Sequence, residues 1–333
     1  MRTNLRFTIV LTVATTLIPI ASAYGQQAKP NVVAPVKQAA FNQPTAAGSA
    51  PRQTVRFGRR AVHVGDQMEQ TLGLEVRMSM IMRRANELVG KNQNVTRSSQ
   101  RRVITTTAVE AGRVMAVTVN YPESTKQVVG PPDPVAPAVP NASNASVGSS
   151  PKAQPVQGKT YHCLREPGEN GKLVVTDEAG NTPPFEEIEI VTQQMEMVGR
   201  ANPFAEFLAG RTIAVGDKIE LPKDLATQIF SLGDKFGEVT RFTLTLQKVQ
   251  LEGGANCAVF QASVEAASSD SSQMRMQVEG PLVVQVDSCR AVRIGLVGPI
   301  GMSETRGSYS TAYQVIGTGR VQVSIASTFR EAK

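Results

Sequence analysis

The sequence predicts a mainly β (α+β) protein in which a curved antiparallel sheet, or half-barrel, covers two or three helices. Two observations predict this class. Segments in which every second residue is apolar, the period of a half-buried strand, occur both early and late in the chain. The segments that favour helices lie in the middle, between residues 185 and 233. Strands on both sides of a helical block favour an antiparallel sheet that curls over the helices.

The N-terminal residues 1–23 have the three parts of a signal peptide. Arg2 and Arg6 come first, an apolar run over 7–20 follows, and Ala21-Ser22-Ala23 supplies the small residues that precede a cleavage site. The apolar run is shorter than the roughly 20 residues that cross a bilayer. We therefore expect export to the periplasm or the exterior, with no transmembrane segment once the signal peptide is removed.

The rest of the chain is predicted to be a tail followed by one folded unit. Residues 24–52 are rich in Ala, Gln and Pro and have no hydrophobic period, which predicts a disordered tail. Residues 53–333 are predicted to be a single β-rich domain interrupted by a Pro-rich loop at 128–157. The three or four strands before this loop would leave one face uncovered by themselves, so they must pack on the part that follows it.

Before the loop, apolar residues fall at alternate positions from Leu74 to Met82, which favours a strand. A helix is the alternative, because the same segment also places apolar residues four apart. The β-branched runs 102–109 and 114–121 flank a turn at 110–113 and predict a hairpin.

After the loop, the predicted order is two strands, three helices and a return to strands. The helices begin after Pro or Asn and two of them end near glycines. The strands are at 159–165 and 172–176, the helices at 185–198, 203–210 and 222–233, the later strands at 239–250, 256–265, 273–286 and 290–298, and a closing hairpin of 309–316 and 320–329 turns at 317–319. Residues 62–68 and 213–219 are similar in sequence, which indicates either an internal repeat or a shared turn.

A cluster of basic residues provides a candidate binding surface. The formal net charge is +7, and arginines are concentrated between residues 77 and 102. Such a cluster is attracted to anionic lipid headgroups or acidic polymers. A solvated face is the alternative, because no aromatic residues lie among the arginines as they do in nucleic-acid-binding segments. The candidate contacts are Arg77, Arg83, Arg84, Arg101 and Arg102.

Three cysteines in an exported chain allow at most one internal disulfide. Cys257 and Cys289 lie on neighbouring predicted strands and are the candidate pair. Buried, unpaired cysteines that behave as small apolar residues are the alternative.

The residue types needed for catalysis are scarce. The chain has two histidines and no tryptophan, and it contains no G-x-S-x-G, G-x-G-x-x-G or H-E-x-x-H motif. An S-x-x-K match at 149–152 lies in the Pro-rich loop, where no rigid element would hold a nucleophile against its base. We therefore predict a non-enzymatic protein with no catalytic residue, no cofactor, no metal site and no nucleic-acid partner.

Three methionines provide a candidate apolar site. Met78, Met80 and Met82 share one face of a predicted strand, where sheet and helices should meet. Flexible methionine side chains line pockets for variable apolar ligands, and they also fill irregular cores. Both interpretations remain open at this stage.

Several short segments resemble a bacterial exported family of unknown function. They are Gly158-Lys159-Thr160-Tyr161, Phe185-Glu186-Glu187, residues 215–222, Cys257-Ala258-Val259-Phe260 and Gly280-Pro281-Leu282. The resemblance implies an architecture similar to lipoprotein-carrier half-barrels, in which a curved antiparallel sheet covers helices and holds an acyl chain. It supplies no catalytic residue, and the cysteine that attaches lipid to an anchored lipoprotein is missing here.

Two functions follow as hypotheses. The first is binding of an apolar small molecule or lipid-like ligand in a cavity between sheet and helices. The alternative is an envelope interaction module that binds an anionic polymer or membrane through the Arg-rich segment.

Overall fold

The computed structural model describes residues 52–84, 87–130, 150–168, 171–230, 238–268, 273–306 and 312–332. The predicted signal peptide and all but the last residue of the predicted tail lie outside these residues. The elements are β1 (Thr54–Arg56), β2 (Gln67–Arg84), β3 (Glu87–Glu110), β4 (Arg113–Val129), β5 (Lys152–Ala153), β6 (Thr160–Arg165), β7 (Leu173–Asp177), α1 (Phe185–Met195), α2 (Pro203–Leu208), β8 (Thr212–Ala214), β9 (Lys218–Glu220), α3 (Lys223–Ile229), β10 (Glu238–Glu252), β11 (Ala255–Ala267), β12 (Arg275–Gln285), β13 (Ala291–Arg306) and β14 (Tyr313–Arg330).

Twelve strands make one antiparallel sheet. Its order is β7-β6-β4-β3-β2-β14-β13-β12-β11-β10-β9, and β5 pairs with β4 outside this path. β1 and β8 make a separate two-stranded sheet. In the described part of the chain, β7 and β9 are the edges of the large sheet and do not pair with each other, so the sheet is open. The mainly β fold with a large antiparallel sheet and three helices is confirmed.

The strand predicted over residues 74–82 lies within β2. Val76 and Met78 point inward and are buried, whereas Arg77 between them is exposed, as the two-residue period of a strand requires. The predicted hairpin between β3 and β4 is also present. It turns at Ala111 and Gly112, whose φ angles of 48° and 75° are those of the tight turns that suit hairpin twist.

Strands from both sides of the predicted loop share the large sheet. β4 pairs with β6, and β2 pairs with β14 along its length. Both ends of the predicted loop 128–157 are structured. β4 continues to Val129, and the segment before β6 packs back on β4, with Val156 fully buried and the Gln154 amide donating to the Ser124 carbonyl at 2.8 Å. Residues 131–149 lie outside the described residues.

The predicted closing turn at 317–319 is wrong. β14 runs through these residues, and the chain reverses between β13 and β14 instead. Gly317 lies opposite Met80 of β2. A Cβ atom at Gly317 would lie 2.6 Å from Met302 Cγ and 2.9 Å from Met78 Cε. The glycine therefore makes room for methionine side chains of neighbouring strands.

The two similar segments share a turn. Oδ2 of Asp66 accepts a hydrogen bond from the His63 amide at 3.1 Å, and Oδ2 of Asp217 accepts one from the Ala214 amide at 2.9 Å. In both turns the glycine before the aspartate has a φ of 92°, a conformation that glycine adopts readily. The same local chemistry accounts for the similarity, and a strand follows each turn.

The candidate disulfide between Cys257 and Cys289 is absent from the structure, in which all three cysteines are free and buried. Cys257 lies in β11 opposite Gln285. Cys289 follows the turn after β12, has a φ of 54°, and directs its Sγ to the Gly58 carbonyl at 3.3 Å. Burial raises the pKa of the Cys289 thiol to about 11 and that of the Cys163 thiol to about 12. The alternative interpretation, buried unpaired cysteines, describes the structure.

Two hydrophobic clusters lie on the inner face of the sheet. The first contains α2, α3 and the inner residues of β10 to β14, with Phe204, Phe242 and Phe260 among its largest side chains. The second lies under α1 and contains inner residues of β3, β4, β6 and β7, including Tyr121 and Tyr161. Among the described residues, no helix has both the length and the apolar character needed to cross a membrane.

Candidate functional site

Two of the predicted surface arginines lie on the outer face of the sheet, and each pairs with a carboxylate. Arg101 Nη2 lies 2.6 Å from Glu69 Oε1. Arg77 contacts Glu75, which also accepts from Arg97 Nε at 2.8 Å. Hydrogen bonds from Arg97 and Arg77 hold the pKa of Glu75 below its ordinary value. These pairs balance much of the positive charge on this part of the outer face.

Arg102 is a correction to the predicted surface. Its side chain is fully buried on the inner face, so it does not contact an anionic surface. Neighbouring residues of a strand point to opposite faces, which places Arg101 outside and Arg102 inside. Their closeness in the sequence indicated a shared positive charge, but it did not indicate which face of the sheet each side chain occupies.

The remaining two predicted arginines lie at the end of the β2–β3 hairpin. We define the β2–β3 tip as residues 83–84 and 87–91. Leu88 is 63% exposed and Val89 is 58% exposed, and Leu88 pairs with Arg83 across the hairpin. Arg84 and Lys91 are also exposed. The tip therefore combines two apolar side chains with three cationic ones and one carboxylate, that of Glu87.

Sequence analysis missed Leu88 and Val89. Single exposed apolar residues are common on protein surfaces, so neither residue by itself indicates a binding site. A signal was present, since an adjacent Leu-Val pair stands between Arg84 and Lys91 immediately after a predicted strand. Only the hairpin shows that this pair lies at the end of two long strands.

The three predicted ligand-binding methionines lie on the inner face of β2. Met78 and Met80 are buried, and Met82 is half-buried. A Cβ atom at Gly90 would lie 2.6 Å from Met82 Cε, so this side chain covers a glycine of the neighbouring strand. Cavities of about 330, 480 and 40 Å³ on the described part of the chain are lined by other residues. The methionines pack in the interior, and their role as an apolar-ligand face stays a prediction.

A row of polar side chains crosses the inner face between the two hydrophobic clusters. Each member is at most 5% exposed, and the members lie on the four consecutive paired strands β14, β2, β3 and β4, with two of them on β3. We call this set the polar row: Ser327, Gln70, Arg102, Gln100 and Ser124. Gln70 Nε2 donates to Ser327 Oγ at 3.0 Å, and Gln100 Nε2 donates to Ser124 Oγ at 3.1 Å.

Arg102 is the charged centre of the polar row, and its hydrogen bonds go to neutral groups. Nε donates to Gln70 Oε1 at 3.1 Å, and Nη1 donates to Gln194 Oε1 on α1 at 3.1 Å. Burial lowers the pKa of Arg102 to about 10, with the neighbouring Tyr121 opposing this, so the guanidinium is charged at neutral pH. Burial raises the pKa of Tyr121, which is therefore neutral. No ion pair joins Arg102 to a carboxylate of the described residues.

Helix α1 is attached above this region through Glu187 near its N-terminus. Glu187 Oε1 accepts from Lys159 Nζ and Oε2 accepts from the Tyr161 hydroxyl, both at 2.6 Å. Burial raises the pKa of Glu187, but the hydrogen bonds from Lys159 and Tyr161 outweigh it and the net pKa is below the ordinary value. Burial and the Glu187 carboxylate raise the pKa of Tyr161. We call this three-residue contact the Glu187 clamp.

A buried arginine holds the other end of α1. Arg165 donates to the Val198 carbonyl at 2.7 Å, to the Gly171 carbonyl at 3.0 Å and to the Glu196 carbonyl. Two of these carbonyls follow the C-terminus of α1, where a cation also interacts favourably with the helix dipole. Arg165 therefore ties the end of α1 to the hairpin of β6 and β7.

Within the part of the chain that is described, no group of three His, Cys, Asp or Glu side chains is arranged to hold a metal ion. No protein-family model and no curated protein sequence matches the chain. A solved structure of lipovitellin, reported for its lipid-protein interactions, is similar at 8% identity and a TM-score of 0.37, over 80% of this chain and 26% of that one. The type II secretion system secretin GspD from E.coli K12 is similar at 8% identity and a TM-score of 0.15, over 80% of this chain and 49% of that one. These TM-scores are too low to transfer a fold or a function.

Proposed function

We propose that this is an exported, non-enzymatic protein that attaches to an anionic lipid surface through the β2–β3 tip. The observation that carries the proposal is the exposure of Leu88 and Val89, at 63% and 58%, beside three cationic side chains. Apolar side chains that enter the headgroup region together with Lys or Arg are the pattern by which peripheral proteins bind membranes.

The energy available from this tip is sufficient for reversible attachment. Fully burying a leucine or valine contributes about 1.5–3 kcal/mol, and roughly 60% of each side chain is available, so the pair contributes about 2–3 kcal/mol. Each cation close to an anionic leaflet adds about 1 kcal/mol. We assign Arg77 and Arg101 no part in attachment, because they lie along β2 and β3 outside the tip and pair with carboxylates there.

The apolar pair favours a membrane over an anionic polymer as the partner. A polymer chain offers charge to Arg83 and Lys91, but it offers no apolar phase in which Leu88 and Val89 gain from leaving water. Attachment to a membrane uses both kinds of side chain at once. The two partners therefore differ in which substitutions weaken binding.

The test is sedimentation of the purified protein with vesicles. We expect binding to phosphatidylglycerol-containing vesicles and little binding to pure phosphatidylcholine. The double substitution L88S/V89S should weaken binding roughly 30–150-fold, from the 2–3 kcal/mol above. R83Q/K91Q should weaken it at low salt, and 0.5 M salt should reduce that difference because it screens the charges.

The matched control is Leu251→Ser. Leu251 is 72% exposed beside the turn between β10 and β11, so its substitution removes a comparable apolar surface elsewhere. L251S should bind as the unmodified protein does. Equal loss in L251S and L88S/V89S, or equal binding to neutral and anionic vesicles, would refute the proposal. Loss in R83Q/K91Q alone, with binding to soluble polyphosphate, would identify the polymer as the partner instead.

A further inference from the structure

Arg102 lacks the partner that a buried cation normally has. Its neighbours in the polar row are amides and hydroxyls, and among the described residues it makes no ion pair. Removing an unpaired charge from water costs several kcal/mol. The unpaired Arg102 guanidinium therefore strongly favours a negatively charged group beside it in the interior.

The neighbouring tyrosine supplies a second, independent observation. Tyr121 is fully buried, and its hydroxyl makes no hydrogen bond of normal geometry. It lies next to the Arg102 guanidinium, which can only donate to the hydroxyl oxygen, and it carries no charge. Buried polar groups are nearly always satisfied, so a hydroxyl proton without an acceptor, beside a cation without a carboxylate, marks a position for a missing acceptor.

We propose that Arg102, Tyr121 and Gln194 form an interior binding site for a small oxyanion, a carboxylate or phosphate group that takes the place of the Gln194 side chain. The guanidinium fork matches two oxygens of either group. The Tyr121 hydroxyl donates to an oxygen of the same anion. Of the two amides that Arg102 contacts, Gln70 is buried and Gln194 is partly exposed, so the Gln194 side has access to solvent.

Entry at the Gln194 side requires a shift of α1. Its two ends are held by the Glu187 clamp and Arg165, and its Val191 and Met195 pack in the second hydrophobic cluster, so the anion must bind tightly enough to offset the loss of some of these contacts. This site is separate from the β2–β3 tip, which lies at the far end of β2 and β3. A negative vesicle experiment would therefore leave the anion-site proposal standing. A negative anion experiment would likewise leave the membrane-attachment proposal standing.

The test is thermal unfolding with added anions at constant ionic strength. Sodium phosphate or sodium acetate replaces sodium chloride, and we expect a saturable rise in Tm of about 3–6 °C at a hundredfold excess over Kd for at least one of them. The more effective anion identifies whether phosphate or carboxylate is the preferred group. A Tm that does not change with either anion would refute the proposal.

Two variants separate specific binding from general salt effects. Gln194→Glu places a carboxylate beside Arg102 within the chain, so it should raise Tm without added anion and abolish the rise with phosphate or acetate. Arg290→Met removes a different buried arginine, which is away from α1 and already lies 3.6 Å from the Asp66 carboxylate, and it should keep the rise even if its starting Tm is lower. An equal rise in the unmodified protein and in Q194E would mean that the anions act elsewhere.

Discussion

Replacing Glu187 with alanine should destabilise the protein by about 2–4 kcal/mol at neutral pH. The Tyr161 hydroxyl is buried and donates to the carboxylate at 2.6 Å, and a hydrogen bond to a charged group contributes about 1.5–3 kcal/mol. The Lys159 side chain is 49% exposed, so its ion pair adds at most about 1 kcal/mol. Urea unfolding of the unmodified protein and E187A measures the difference.

A double-mutant cycle with Tyr161→Phe isolates the hydrogen bond. E187A should cost about 1.5–3 kcal/mol less in the Y161F background, because phenylalanine leaves no hydroxyl unsatisfied. The pKa of Glu187 lies below its ordinary value of 4.5 when folded, so the stabilisation is complete above 4.5 and is lost as the pH falls through the lower folded pKa. A cost of E187A that is below 0.5 kcal/mol, or that is identical in both backgrounds, would show that the clamp does not hold α1.

Four further predictions test other parts of the fold. Asn202→Ala should cost about 1–2 kcal/mol in urea unfolding, because Asn202 Oδ1 accepts from two amides of α2, and N202D should retain most of the stability. Ellman titration should find no rapidly reacting thiol in the native protein and three thiols after unfolding without reductant. A single reactive thiol after unfolding would indicate that the other two cysteines form a disulfide. Limited proteolysis should cut first within 131–149, and the fragments should co-elute until denaturant is added, since β4 pairs with β6 across that segment. If Met78 and Met80 line a ligand site, organic extracts of the purified protein should contain a co-purified lipid. If no lipid is found and a fluorescent fatty acid does not bind, these methionines serve only in core packing.

The sequence by itself determined the elements whose signals are local. The alternation over 74–82 identified a strand because successive side chains of a strand point to opposite faces, whatever the strand pairs with. The start of α2 is predictable because its signals are adjacent in the sequence. The Asn202 side chain accepts hydrogen bonds from amides of the first turn, and Pro203 suits the first helical position. The Gly-Asp turns before β2 and β9 likewise depend on hydrogen bonds that reach only three residues.

The tertiary structure alone decided features that depend on residues far apart in the chain. The glycines at 317–319 look like a turn locally, but methionines from β2 and β13 fill the space they leave. Cys257 and Cys289 were expected on neighbouring strands, yet the turn after β12 directs Cys289 toward Gly58. Arg101 and Arg102 are adjacent and alike in charge, and they differ because β3 is covered on one face only. Arg102 is an interior cation because its face is covered, whereas Arg101 on the open face forms an exposed ion pair. The energetic cost of the interior charge exists only once the strands have assembled.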